Sequence, residues 1–150
     1  MKTAYEVTME PTNHAPTMET TERVMFFDTD AAGVVNNIVY LRFIETNRSL
    51  LAEKLGWKLG EVMEEQEFPA VVRTEIDYRR PARLWDRLLV RGELEKFERF
   101  RFWCAFTIRR EDGNGLLITC RQMLVAVKLP GMKVIGLPAH WESDFGHLKS

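Results

Sequence analysis

The chain has 150 residues, 45% of them hydrophobic, which is enough for one domain with a real core and too little for two. Its 21 Lys and Arg nearly cancel its 22 Asp and Glu, so no global field argues for nucleic acid, and any anionic ligand must be met by a local arginine cluster. No segment approaches the roughly 20 uninterrupted apolar residues that a membrane helix needs, so a soluble protein is expected. Met1 to Thr20 carry Glu6, Glu10, Pro11, His14, Pro16 and Glu19 without the apolar stretch of a secretory signal. They read as a loosely ordered tail, and a cytoplasmic address follows by default.

The first element is predicted over about Thr21 to Phe27, where Val24, Met25, Phe26 and Phe27 suit a strand buried on more than one side. It delivers its end to the turn Asp28-Thr29-Asp30-Ala31-Ala32-Gly33. From Ile38 to Leu55 the apolar positions Tyr40, Phe43, Ile44, Leu51 and Leu55 recur at helical spacing, with Arg42, Glu45, Ser49 and Glu53 as a narrower polar stripe. Asn36 or Asn37 can cap the start, and Lys54 followed by Gly56 suits the end. Such a helix would be roughly 27 Å long, which in so small a chain suggests a sheet wrapped around it.

A polar connection through Glu61, Glu64, Glu65 and Glu67 leads to period-two patterns for most of the remainder. Val72, Thr74, Ile76 and Tyr78 alternate with charged residues, as do Leu88, Val90 and Leu94. Phe100, Phe102, Cys104, Phe106 and Ile108 share one face of a third strand, with Trp103 and Ala105 opposite, and Asp112-Gly113-Asn114-Gly115 is its hairpin turn. The last run, Leu116 to Leu129, is apolar enough on both faces for a central or interface strand. One strand, one long helix and a succession of antiparallel strands read as α+β, a single curved antiparallel sheet over one helix.

Chemistry concentrates at the turn before the helix. A helix start offers unpaired N–H groups and a positive dipole end, which can hold a developing oxyanion while a nearby carboxylate attacks or activates water. Asp28 and Asp30 supply carboxylates there, although aspartates before a helix also serve as plain turn caps. Asn37 has the same two readings, helix cap or substrate contact, and Gly33 lets the backbone turn close to a ligand or merely turn. Glu45 lies between Arg42 and Arg48 at helical spacing and reads as a surface ion-pair residue. His14, His140 and His147 are isolated and lack metal-ligand spacing, so neither metal nor cofactor is expected. Cys104 and Cys120 read as buried thiols of a reducing compartment.

The run Asp28-Thr29-Asp30-Ala31-Ala32-Gly33-Val34-Val35-Asn36-Asn37-Ile38-Val39-Tyr40 resembles the hotdog-fold acyl-CoA thioesterases of the 4-hydroxybenzoyl-CoA thioesterase type, and Tyr78-Arg79-Arg80-Pro81-Ala82-Arg83-Leu84-Trp85-Asp86 resembles their turn between strands. The resemblance implies a hotdog domain over 21–138, with tails at 1–20 and 139–150. It implies hydrolysis of an acyl-CoA thioester to acid and CoA, with Asp30 as the catalytic carboxylate and the N–H of Asn37 polarising the carbonyl. Asn36-Asn37 stands where many relatives carry Tyr-His and is more like the plant plastid acyl-lipid thioesterases, so an acyl-carrier-protein thioester is the alternative substrate. A non-catalytic acyl-CoA-binding module is the alternative outside enzymes. Arg99 and Arg101 fall in the region resembling the family's nucleotide contacts, with Arg79, Arg80 and Arg83 as a second basic group; either cluster could instead only solvate a strand face. Trp103, Ala105 and the two-sided strand near Val125 call for cover by other subunits, so a homodimer or homotetramer is expected.

Overall fold

The computed structural model describes residues 15–113 and 115–150. Strands β1 (Thr17–Arg23), β2 (Glu67–Tyr78), β3 (Arg87–Phe97), β4 (Arg101–Arg110), β5 (Leu116–Lys128) and β6 (Lys133–Ile135) form one sheet. Its order is β1-β3-β4-β5-β2, with β6 joined to β5. Every pairing is antiparallel. Helix α1 (Val39–Leu55) is the long element packed on the sheet; α2 (Leu59–Glu65) and α3 (Trp141–Asp144) are short. This is the α+β hotdog arrangement, one helix wrapped by a curved antiparallel sheet.

Helix α1 follows Asn36, whose Oδ1 accepts the Ile38 N–H at 3.1 Å, and it stops at Gly56, which takes the left-handed conformation at φ 113°. Phe43, Ile44 and Leu51 are wholly buried, and each such side chain contributes about 1.5–3 kcal/mol of apolar burial. On the sheet they meet Leu88, Val90 and Leu94 of β3 and Phe102, Cys104, Phe106 and Ile108 of β4, the faces that the alternation indicates. The strand β5 is central, as its two apolar faces require. Burial pushes the Cys104 and Cys120 thiols up to about 12, so both stay neutral.

One polar group sits inside this core. Asn47 is fully buried on α1, and its Nδ2 donates to the carbonyls of Met18 and Val90 and to Thr20 Oγ1 at 3.0 to 3.1 Å. These bonds tie the helix to β1 and β3. Gly92 of β3 makes the approach feasible, because a Cβ there would run into Asn47 Oδ1 and come within 2.8 Å of the Phe106 ring.

Three expectations are corrected. The first strand spans Thr17–Arg23 rather than residues 21–27, because Val24 leaves it to exchange backbone bonds with Trp85 and Asp86, and Phe26–Asp28 then form a 3-10 turn. Phe26 and Phe27 are consequently 75% and 79% exposed. Thr17 to Thr20, expected within a tail, belong to that strand; residues 1–14 of the tail, with His14, lie outside the described residues, as does Asn114 of the hairpin turn. Residues 139–150 are not a loose end. Trp141 is buried between Phe97, Phe102 and Trp57, and its indole N–H donates to the Leu55 carbonyl at 2.8 Å, satisfying an acceptor at the end of α1.

The loop before α1 is held by Asp28, which is only 2% exposed. Its Oδ2 accepts the Met25 N–H at 2.8 Å, its Oδ1 accepts from Arg42 of α1 at 3.0 Å, and its carbonyl accepts the Asn36 N–H at 2.9 Å. Arg42 also interacts with Glu22 of β1, whose carboxyl burial holds above the usual range.

Two substitutions test these contacts. Gly92→Ala should cost about 1–3 kcal/mol by overpacking the α1–β3 contact, read as a lower urea midpoint at unchanged m-value. Asp28→Asn leaves the fold but removes the charge facing Arg42, and should cost about 1–3 kcal/mol in the same measurement. An unchanged midpoint in either variant would show that the contact does not hold the helix or the loop.

Candidate active site

The two motifs that carry the resemblance are far apart in the chain and adjacent in space. Val35 N–H donates to the Ala82 carbonyl at 2.9 Å, Val34 bridges to Arg83, and the Ala82 N–H donates to the Tyr40 hydroxyl at 2.9 Å. Burial holds the Tyr40 phenol above its usual range, so it stays protonated. Asp86, at the end of the second motif, accepts from the Arg83 N–H and from Arg110 Nε, which closes that turn.

A cleft of about 300 Å³ opens where these segments meet. Asp30 and Asn37 enter from the loop, Tyr40 from α1, Tyr78 from the end of β2, and Arg79 and Arg80 from the turn beyond it. Thr29 and Val35 bridge across a short hairpin, Asp30 N–H bonds the Val34 carbonyl, and Gly33 turns the chain at φ 73°. A side chain at Gly33 would touch nothing within 4 Å, so the left-handed backbone rather than crowding calls for glycine there.

The two aspartates have separate environments. Asp28 is buried and fully engaged, whereas Asp30 is exposed to the cleft. Asp30 Oδ1 accepts the Ala32 N–H at 2.8 Å, which fixes the carboxylate, and among the described residues Oδ2 has no hydrogen bond. The Asn37 carbonyl accepts from the Tyr78 hydroxyl at 3.2 Å, which pins the peptide ahead of α1. Its own N–H has no acceptor among the described residues, and its side chain caps nothing, since the cap bond comes from Asn36. Asp30 and Asn37 therefore line one cleft beside a helix start, where a carboxylate can attack a carbonyl and a backbone N–H can hold its oxyanion. Tyr40 and Tyr78 were not singled out by the sequence reading. The tyrosine opening the second motif was the available signal for Tyr78.

Arg99 and Arg101 do not reach this cleft in the same chain. Arg101 pairs with Val125 at one end of β4, while the cleft lies at the level of Ile108, Ile118 and Tyr78, about 24 Å away at 3.4 Å per residue. Arg101 Nε donates to Glu98 at 2.8 Å, and Arg99 lies over the Phe100 ring at 5.0 Å. At the cleft itself, Arg79 donates to Thr119 Oγ1 and Arg80 lies over Gly115. Phe97 packs edge-on against Trp141, and Trp103 lies beneath Arg121 at 4.4 Å. Among the described residues no three His, Cys, Asp or Glu side chains converge on a metal-binding position, and no helix is long and apolar enough to cross a membrane.

Comparison with known proteins agrees with this geometry. A thioesterase-like superfamily match spans residues 24–145 and so contains both motifs. The acyl-CoA thioesterase YbgC of Haemophilus influenzae is 34% identical over 129 residues, 85% of this chain and 93% of its own. The 1,4-dihydroxy-2-naphthoyl-CoA hydrolase of Synechocystis is 31% identical over 123 residues, 81% of this chain and 88% of its own. The crystal structure of the 1,4-dihydroxy-2-naphthoyl-CoA thioesterase from Synechocystis superposes with a TM-score of 0.75 at 26% identity, covering 88% of this chain and 97% of that one. The chain belongs to the thioesterase-like superfamily, with the hotdog fold and an open carboxylate at the head of its long helix.

Proposed function

We propose that the protein hydrolyses acyl-CoA thioesters to a free acid and CoA, with Asp30 as the reacting carboxylate and the Asn37 N–H as the oxyanion donor. The observation that carries this reading is the one cleft lined by both Asp30, with an unbonded carboxylate oxygen, and Asn37, whose N–H has no acceptor among the described residues. A thioester carbonyl is a good electrophile with a good leaving group, so one carboxylate suffices. Asp30 either adds to the carbonyl and expels CoA thiolate, leaving a mixed anhydride for water to open, or takes a proton from the water that adds. In both routes the C–S bond breaks, water supplies the new acid oxygen, and a proton returns to the thiolate. Gly33 keeps the hairpin tight enough for Asp30 to stay at the cleft wall.

A homodimer completes this reading. The strand β2 ends the sheet, is 12 residues long and carries no buried side chain, with Val72 53% exposed. Free edges of that length invite a further strand. Antiparallel pairing of β2 with β2 of a second copy reverses the partner's sheet, which brings the end bearing Arg99 and Arg101 to the end bearing Asp30. The reading therefore assigns these arginines to CoA phosphates in trans, with Arg79 and Arg80 at the mouth in cis. The two free, buried thiols, Cys104 and Cys120, suit a reducing compartment such as the cytoplasm.

Two experiments test the assignment. Asp30→Asn keeps the shape and removes the charge, so kcat for thiol release should fall about a hundredfold or more while the thermal midpoint holds; near-wild-type turnover would remove Asp30 from the mechanism. Replacing Arg99 and Arg101 together with Gln should raise KM for a CoA ester more than it lowers kcat. Hybrids of that variant with Asp30→Asn, made by unfolding and refolding a mixture, should then regain low-KM activity, because one of their two sites would be intact. A mixture no better than its components would place the arginines in cis or outside the site.

A further inference from the structure

Helix α1 and strand β2 continue side by side beyond the cleft. At the cleft end the Tyr40 and Tyr78 rings lie 5.8 Å apart. Two helical turns further on, Arg48 Nη1 donates to Gln122 Oε1 at 2.7 Å, and Gln122 Nε2 donates to Thr74 Oγ1 at 3.2 Å. Eight residues of helix advance about 12 Å and four residues of strand about 13 Å, so the two elements stay in step between these contacts. The strand β5 supplies the floor, since Ile118, Cys120 and Gln122 pair with Tyr78, Ile76 and Thr74. That floor is buried, whereas Tyr78 and Thr74 on the β2 wall are exposed and Ile76 is half-buried. A path from the cleft to the Arg48 guanidinium thus follows the exposed side of β2, past Tyr78, Ile76 and Thr74.

Arg48 is an unusual residue to find there. A guanidinium carries five N–H donors, yet among the described residues this one makes a single hydrogen bond, to a neutral amide, and no ion pair. Burial pulls its pKa below the ordinary arginine range, opposed chiefly by the charge of Glu45, an exposed residue one turn earlier. Packing alone would be served better by a methionine or leucine, because a half-buried cation without a carboxylate loses hydration with little return. The missing return is supplied if an oxygen atom of a bound molecule completes its hydrogen bonds.

We propose that the acyl group lies along this path beside β2, and that Arg48, steadied by Gln122 and Thr74, selects acyl groups whose far end carries an oxygen acceptor over hydrocarbon groups of equal length. The proposal rests on the thioesterase reading above and adds the chemistry of the acyl end. Charge-assisted bonds from Arg48 would favour a carboxylate or a hydroxyl at that end, with Ile76 and Tyr78 flanking the apolar middle.

The test compares kcat/KM for octanoyl-CoA, ω-hydroxyoctanoyl-CoA and the mono-CoA ester of octanedioic acid, measured by thiol release with the full chain. At least one oxygenated ester should be preferred over octanoyl-CoA by about tenfold or more. Arg48→Met should bring that ratio to about one, Arg48→Lys should retain part of it, and Thr74→Val, at an exposed position, should lower it without threatening the fold. A wild-type ratio of one or less, or a ratio unchanged in Arg48→Met, overturns the proposal while leaving thioester hydrolysis in place. Should Arg48→Met not fold, the wild-type ratio and the Lys and Val variants decide. No thiol release from any ester overturns both readings.

Discussion

Helix α1 approaches its sheet most closely on the β1 and β3 side, and the contact that draws it there is Asn47 against Gly92. A buried amide nitrogen needs acceptors, and Asn47 Nδ2 finds them in Met18 and Thr20 of β1 and in the carbonyl of Val90, while its Oδ1 has no donor among the described residues and any Cβ at Gly92 would block the approach. With the helix held to that side, β2 at the other end of the sheet is left without a buried residue. The apolar core below is ordinary; the polar contact decides which way the helix leans.

The loop before α1 shows a division of labour between two like residues two positions apart. Asp28 is spent on structure, accepting from Met25 and Arg42 and passing a backbone bond to Asn36. Asp30 spends one oxygen on the Ala32 N–H and keeps the other for the cleft. The difference comes from the hairpin geometry. Bridging of Thr29 to Val35 turns one carboxylate inward toward α1 and leaves the other at the rim. The second motif then braces the loop from the far side through Ala82, Arg83 and Tyr78, so the position of Asn37 is set by contacts to residues more than forty positions away.

Much of this architecture was legible in the chain. The helix bounds followed from Asn36, Gly56 and the spacing of Tyr40, Phe43, Ile44, Leu51 and Leu55, because capping and periodicity are local properties. The strands β3 and β4 followed from alternation that the sheet faces require, and β5 from a run apolar on both faces. The first strand was displaced because Val24 to Phe27 are apolar for different reasons: Val24 enters the core, while Phe26 and Phe27 stand on an exposed turn. The C-terminal segment resembles a tail in sequence because its few apolar residues gain their burial only in the fold, Trp141 against Phe97, Phe102 and Trp57, and Phe145 against Trp141.

By itself, then, the sequence determined the α+β order, the helix, the pairing-competent strands and the two segments whose residue types suit thioester chemistry, since each depends on neighbours within a few positions. Tertiary structure alone decided which aspartate is buried and which faces the cleft, that Tyr40 and Tyr78 line it, that Arg79 and Arg80 rather than Arg99 and Arg101 stand beside it within one chain, and that Arg48 meets Gln122 of β5. Those outcomes depend on the register of strands distant in the chain and on the lean of α1 toward Gly92, and neither leaves a periodic trace in the residues concerned.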